Sequence, residues 1–159
     1  MTEESRITDE MLAVIGHEGE PARMELDKTT IRWFARAVGH TDRVFYDEDY
    51  ARSKGHRGIV APPGFLGQLV YVPGSSVNIR GFPPLPGLVI TRALNGGTSF
   101  EYYDEEICAG DVLIRVTKIA DMQERPGKTG TMLIVVGESN YYDHGGKLMA
   151  TERNTELFY

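Results

Sequence analysis

The second half of the chain alternates apolar and polar residues over long runs that are separated by short turn sequences. Alternation with a period of two is the pattern of half-buried β-strands, and turn residues between such runs indicate antiparallel neighbours. In the run 112–123 this alternation predicts one shared face, formed by Val112, Ile114, Val116, Ala120 and Met122. Strands are predicted over residues 89–94, 98–103, 112–123, 132–142 and 148–158, with turns at 110–111, 126–130 and 144–146. The chain is therefore expected to build an antiparallel meander.

Helical patterns come before the strands. After a short strand at residues 22–27, Thr29 or Thr30 can cap a helix that Gly39 ends. The apolar face of this helix is formed by Ile31, Phe34, Ala35 and Val38. A second helix is predicted over residues 47–54, because acidic residues lie at its start and basic residues at its end.

The segment 61–73 is apolar on nearly every side, begins with Pro62 and Pro63, and ends at Pro73. Proline is tolerated in the first turn of a helix and ends one elsewhere, so this segment is predicted to be a buried helix. Residues 74–86 are rich in glycine and proline and are predicted to form a loop. The expected fold class is α+β, with the antiparallel sheet wrapped around the apolar helix.

Composition is that of one globular domain over residues 1–159, with 41% hydrophobic and 25% charged residues. A net charge of −6 provides no basic field for nucleic acid or an anionic membrane. No apolar run reaches the roughly 20 residues that cross a bilayer, and the acidic N-terminus lacks the pattern of a signal peptide. The single cysteine, Cys108, has no partner for an internal disulfide. We therefore expect a cytoplasmic protein with no nucleic-acid or membrane partner.

Several segments, in this order and spacing, resemble the MaoC-like acyl dehydratases and hydratases. They are residues 31–39, 42–51, 58–63 (Gly-Ile-Val-Ala-Pro-Pro), 95–102 (Asn-Gly-Gly-Thr-Ser-Phe-Glu-Tyr) and 109–113 (Ala-Gly-Asp-Val-Leu). The chain is most similar to the N-terminal, non-catalytic type, which resembles the dehydratase of fungal fatty acid synthase. The resemblance implies a single hot-dog fold, in which a curved antiparallel sheet wraps around a central helix. It also implies a dimer.

The activity implied by the resemblance is reversible addition of water to an enoyl thioester of CoA or of acyl carrier protein. Active members carry an Asp and a His in the motif G-D-x-N-P-[LIV]-H. An alignment without gaps sets Gly39, His40, Asp42, Arg43, Val44 and Phe45 against its defined positions. Phe45 has no proton to exchange. The resemblance therefore implies a component of an R-specific enoyl-thioester hydratase or 3-hydroxyacyl-thioester dehydratase that shapes the acyl-binding cavity beside a catalytic MaoC-like subunit.

Two alternatives remain open. His40 could act as the base with Asp42 as its partner, since an unperturbed imidazole titrates near neutral pH. The chain, as a homodimer, would then be a self-sufficient hydratase. Alternatively, the chain could bind acyl thioesters without catalysis. A thioesterase is disfavoured, because the segment 63–73 contains no carboxylate.

The candidate substrate-binding residues are Arg57, Pro63, Gly64, Asn95 and Gly96. Arg57 lies in the densest basic stretch and could meet the phosphates of CoA or an acidic carrier protein, although cations at a helix end also have a structural role. The Pro63 and Gly64 backbone lies where the family begins its central helix. Asn95 and Gly96 could contact the thioester end of a ligand or form a tight bend. The four histidines lack metal-ligand spacing, so no metal or other cofactor is expected.

Overall fold

The protein is built on one six-stranded sheet in which every neighbouring pair of strands is antiparallel. The computed structural model describes residues 5–74, 81, 83–90, 92–103, 105–127 and 130–159. The strands are β1 (Ala22–Glu25), β2 (Gln68–Leu69), β3 (Ala93–Tyr102), β4 (Val112–Gly127), β5 (Gly130–Tyr142) and β6 (Leu148–Phe158). Their spatial order is β2-β1-β4-β5-β6-β3. The predicted antiparallel meander is confirmed as β4, β5 and β6, and the sheet is curled.

The helices are α1 (Asp9–Ala13), α2 (Lys28–Ala37) and α3 (Glu48–Ser53), with a 3₁₀ turn at Arg43–Phe45. Asp27 caps α2, because its carboxylate accepts hydrogen bonds from the Thr29 and Thr30 amides at 2.9 and 3.1 Å. The helix therefore begins just before the predicted caps. Asp47 and Lys54 bound α3, which confirms the predicted second helix. The sequence pattern did not predict α1.

The predicted helix over residues 61–73 is wrong. A turn follows Pro62, and the chain then extends into β2, which pairs with β1 through Met24 and Leu69. Gly64 and Gly67 have φ values of +90° and +99°, in the left-handed region that a right-handed helix excludes. Phe65 is still buried, so the apolar content of the segment reaches the core without a helix. The sheet therefore curls around a turn and an extended segment.

The two strands predicted at 89–94 and 98–103 are one strand, β3, which begins only at Ala93. Residues 74, 81 and 83–86 are not in a helix or strand, in agreement with the loop predicted over residues 74–86, and residues 75–80 and 82 lie outside the described residues.

The predicted buried face of β4 is also wrong in its first half. The side chains of Leu113, Arg115, Thr117 and Ile119 are buried, and Val112, Ile114 and Val116 lie on the opposite face. A register shift between Ile119 and Asp121 then brings Met122 to the buried side. We call the buried side the inner face of the sheet and the opposite side the outer face.

Apolar side chains on the inner face form two separate clusters. The first cluster contains Met24, Leu26, Ile31, Ile59, Phe65, Leu66, Ile107, Leu113, Tyr141, Met149 and Ala150. The second cluster contains Met11, Ile119, Met122, Leu133, Val135 and Phe158. The short helix α1 contributes Met11 to the second cluster, and α2 contributes Ile31 to the first. The two clusters therefore lie at opposite ends of the inner face.

Candidate functional site

Polar side chains cross the inner face between the two apolar clusters. In the strand register, Arg115 faces Tyr141, Thr117 faces Ser139, and Ser139 faces Glu152. Directly paired residues share a face, so these five side chains form two neighbouring rows on the inner face, Arg115–Tyr141 and Thr117–Ser139–Glu152. We call Arg115, Thr117, Ser139, Tyr141 and Glu152 the polar belt. Arg115, Thr117 and Ser139 are 7%, 2% and 7% exposed, which is unusual for polar groups without a ligand or a structural partner.

Hydrogen bonds connect the members of the polar belt. The Thr117 and Ser139 hydroxyls are 2.7 Å apart, and the Tyr141 hydroxyl donates to the Glu152 carboxylate at 2.6 Å. Arg115 lies directly opposite Tyr141 in the strand register. Burial raises the pKa of Tyr141, and the negative charge of Glu152 raises it further, while the positive charge of Arg115 acts to lower it. The phenol therefore keeps its proton and acts as a hydrogen-bond donor to Glu152.

The polar belt continues toward the exposed strand β3. Phe100 of β3 pairs with Glu152, and Thr98 pairs with Asn154. The Thr98 hydroxyl donates to the side-chain oxygen of Asn154 at 3.2 Å. Thr98 is exposed, whereas Glu152 and Asn154 are half-buried. The inner-face side chains are therefore buried at β4 and exposed to solvent at β3. Polar residues connect these two regions.

The turn after Pro62 lies at this open side. The Gly64 amide donates to the Tyr102 hydroxyl at 2.7 Å, and a side chain at Gly64 would meet the rings of Phe34 and Phe100 at 3.5 and 3.7 Å. Burial raises the pKa of Tyr102, so this phenol also keeps its proton. The Gly64 amide, a candidate thioester contact, is thus bonded to a tyrosine, and Pro63 beside it is exposed. A ligand could use this amide only by displacing the Tyr102 hydroxyl.

His40 and Asp42 lie in the loop after α2 and have separate partners. The His40 ring packs against Phe45, with 5.2 Å between ring centres. The Asp42 carboxylate accepts the Val44 amide at 3.0 Å and caps the 3₁₀ turn. The backbone carbonyl of His40 accepts the Tyr46 hydroxyl at 2.5 Å. These contacts give both residues a local structural role, and their proposed role as a catalytic pair stays a prediction.

Arg57 is already paired with carboxylates. Its guanidinium donates to both oxygens of Asp111 at 3.1 and 2.8 Å and to the Glu106 carbonyl at 2.8 Å. The hydrogen bonds with Asp111 raise the pKa of Arg57. A cavity of about 360 Å³ beside it is also lined by Asp143 and His144. A phosphate approaching Arg57 would compete with Asp111, so the proposed contact with CoA stays a prediction.

Asn95 and Gly96 lie near the far end of β3. The Asn95 side chain accepts the Gly97 amide at 2.8 Å, where the pairing with β6 shifts register. A side chain at Gly96 would come within 3.1 Å of Thr155, so glycine permits the close approach of the two strands. Seven positions separate Asn95 from Tyr102, or about 23 Å along a strand. The structure does not bring this pair to the Gly64 turn, and its role in binding stays a prediction.

The residues of the polar belt are not among the site residues predicted from the sequence. The signal for the belt is the spacing Arg115-x-Thr117 and Ser139-x-Tyr141, in which polar side chains alternate with residues of the other face. Because half-buried apolar residues occupy the outer face, the alternation alone assigns the wrong face to the interior.

Two further properties concern ions and membranes. Among the described residues, no group of three His, Cys, Asp or Glu side chains is arranged to hold a metal ion. In the same part of the chain, every helix is too short or too polar to cross a membrane.

Comparison with known proteins identifies the family. The model of the FAS1-like dehydratase domain region matches residues 13–152. A UPF0336 protein of Streptomyces griseus is 32% identical over 127 residues, which cover 80% of this chain and 79% of that protein.

Solved structures identify the fold. A chain of the HadBC (3R-hydroxyacyl-ACP dehydratase) complex of Mycobacterium tuberculosis has a TM-score of 0.68 and 22% identity, covering 91% of this chain and 96% of that one. A MaoC-like dehydratase has a TM-score of 0.72 and 21% identity, covering 93% of this chain and 43% of that one. The chain therefore has a hot-dog fold and belongs to the FAS1-like dehydratase-region family, which supports its assignment as a hydro-lyase or a subunit of one.

Proposed function

We propose that this protein is the non-catalytic component of an R-specific enoyl-thioester hydratase or 3-hydroxyacyl-thioester dehydratase, and that it shapes the acyl-binding cavity beside a catalytic MaoC-like partner. The observation that carries this proposal is Phe45. It occupies the position of the motif histidine, and its ring packs against His40. A phenyl ring cannot exchange a proton, so in this proposal the base and acid of the reaction come from another chain.

The exposed edge of β3 supports a partner subunit. Among the described residues, β3 pairs with β6 on one side only, and nine of its ten residues are exposed. Glu101 is its only charged residue, and it contains no proline. Long edge strands without charges or proline readily pair with another strand, so proteins protect or occupy them. A second hot-dog subunit, either another copy or a catalytic relative, would extend the sheet at this edge.

The comparisons are consistent with such a pairing. The HadBC neighbour is a complex of different subunits. The match to the MaoC-like dehydratase covers 43% of that chain, which leaves length for a second unit of similar size.

In the proposed reaction, the oxygen of water bonds to C3 of the enoyl thioester and a proton is added to C2. Dehydration is the reverse. The partner supplies the group that moves these protons, and oriented hydrogen-bond donors stabilise the negative charge on the thioester oxygen. This chain contributes the wall of the acyl cavity. The missing central helix supports that role, because it leaves the inner face near β3 open to a ligand.

The test is hydration of crotonyl-CoA and of a longer enoyl-CoA, measured by loss of the conjugated thioester absorbance. The purified protein is assayed alone and then with a co-encoded MaoC-like protein that carries the G-D-x-N-P-x-H motif. We expect activity only with the partner. Activity of the protein alone, abolished by His40→Ala, would overturn the proposal in favour of a self-sufficient hydratase. Binding of acyl-CoA with no activity in either assay would instead favour a non-enzymatic acyl-thioester-binding protein.

A further inference from the structure

The open end of the polar belt presents an unusual surface for an acyl chain. Glu152 and Asn154 lie two positions apart on the inner face of β6, about 7 Å between Cα atoms at the rise of a strand. Thr98 lies opposite Asn154 on β3. Phe100 lies opposite Glu152, so an aromatic ring lies beside these polar groups. An acyl chain that enters over β3 would meet these groups before it reached the buried part of the belt.

The hydrogen bonds already present determine what this surface can accept. One Glu152 oxygen accepts from Tyr141, and the other can accept a second donor. The Asn154 oxygen accepts from Thr98, which leaves its amide hydrogens available to donate. A hydroxyl group matches both requirements, because it donates to a carboxylate and accepts from an amide. A ketone or ether has no donor for Glu152, and a purely apolar chain would leave these groups unpaired.

The buried part of the belt makes this arrangement costly to maintain. Polar groups inside a sheet stabilise the fold less than an apolar core would, unless each one is paired. Glu152 is held by the hydrogen bond from the Tyr141 hydroxyl, and Tyr141 itself is buried. The carboxylate is therefore fixed in place before a ligand arrives.

Resting on the proposed function, we infer that the cavity wall of this protein selects acyl groups that carry a hydroxyl remote from the thioester, recognised by Glu152, Asn154 and Thr98. These residues determine specificity and take no part in moving the protons of the hydration step.

The experiment measures binding of two matched series to the full-length protein by titration calorimetry. One series is hexanoyl-, octanoyl- and decanoyl-CoA, and the other is the same chains with a terminal hydroxyl. At the chain length that reaches the site, the hydroxylated ligand is expected to bind about tenfold more tightly, as one well-made hydrogen bond allows. The nearly isosteric variants Asn154→Leu and Thr98→Val should lose this preference. Thr155→Val is the matched control, because Thr155 lies on the outer face of the same strand as Asn154, and it should keep the preference.

The outcomes separate this inference from the proposed function. If both series bind equally at every length, the inference is wrong while acyl-thioester binding stands. If Thr155→Val removes the preference as Asn154→Leu does, recognition does not lie on the inner face and the assignment is wrong. If no acyl-CoA binds better than CoA itself, the inference is wrong, and the hydration assay with the MaoC-like partner decides the proposed function separately. Circular dichroism of each variant checks that the sheet is intact.

Discussion

The polar belt and the second cluster lie side by side on the same sheet face, yet they are built from opposite kinds of residue. The second cluster contains Leu133 and Val135, both fully buried and apolar. The belt buries Arg115 and Thr117, whose burial gains little unless each polar atom is paired. Burial alone therefore does not identify what stabilises this fold. We therefore expect the clusters to supply most of the stability, and the proposed recognition of a ligand would account for the polar residues of the belt.

The largest expected effect is from truncation within the second cluster. Leu133→Ala should lower the free energy of unfolding by about 3 kcal/mol, because the cavity left by a fully buried leucine only partly collapses. Urea denaturation followed by circular dichroism measures the change. The matched control is Val136→Ala on the half-buried outer face of the same strand, which should cost about 1 kcal/mol or less. Equal losses at the two positions would remove the distinction between cluster and outer face.

A smaller loss of stability is expected when one hydrogen bond of the polar belt is removed. Tyr141→Phe removes the donor to Glu152 and should destabilise the protein by about 1–2 kcal/mol, because a half-buried carboxylate loses its partner. Tyr142→Phe, on the opposite face one residue later, is the control and should be nearly neutral. The same urea transitions report both values. A neutral Tyr141→Phe would mean that Glu152 does not depend on the belt for its position.

Much of the fold can be predicted from local sequence signals, such as helix caps and charges at helix ends. Asp47 and Lys54 delimit α3 as predicted, because caps and end charges act over a few residues. The helix predicted over residues 61–73 does not form, because contacts with the rest of the fold favour an extended conformation. Its apolar residues are needed in the core either way, and the free edge of β1, together with two glycines in left-handed conformations, favours β2 over a helix.

The site was less predictable than the fold. The resemblance drew attention to His40, Asp42 and Gly64 because they align with family positions. The polar belt has no such motif, since Thr117, Ser139 and Glu152 lie on three strands and meet only through the register. The alternation in β4 pointed to the wrong face because the inner face is partly polar and the bulge after Ile119 changes the phase. Polar residues at alternate strand positions are therefore worth testing as inward-facing groups.

A carboxylate on the outer face, Glu138, extends the comparison to the dependence of stability on pH. On the outer face, hydrogen bonds from Lys118 and then Arg153 hold the pKa of Glu138 below its ordinary value. A lowered pKa stabilises the folded state above the ordinary value of 4.5, and this contribution is lost as the pH falls through the lowered value. Glu138→Gln should therefore flatten the loss of stability below about pH 4.5, by less than about 1 kcal/mol after solvent screening. Urea midpoints at pH 3.5 and pH 7 measure this, with 0.5 M salt as a control that should shrink the difference. If the variant loses as much stability as the parent between pH 7 and pH 3.5, other carboxylates account for the loss of stability at low pH.

The smallest net effect is expected from a double substitution, and it separates stability from recognition most directly. Thr117→Val alone leaves the buried Ser139 hydroxyl without its partner at 2.7 Å and should cost about 1 kcal/mol or more. Adding Ser139→Ala removes the second hydroxyl, so neither hydroxyl is left without its partner and the net change should be close to zero or stabilising. A double-mutant cycle in urea measures the coupling. If the double variant is instead less stable than either single one, the belt itself supports the fold, and its polar character needs no ligand to explain it. If the double variant matches the parent in stability, the Thr117–Ser139 pair is dispensable for folding, which is the result expected if the belt serves the proposed recognition rather than stability.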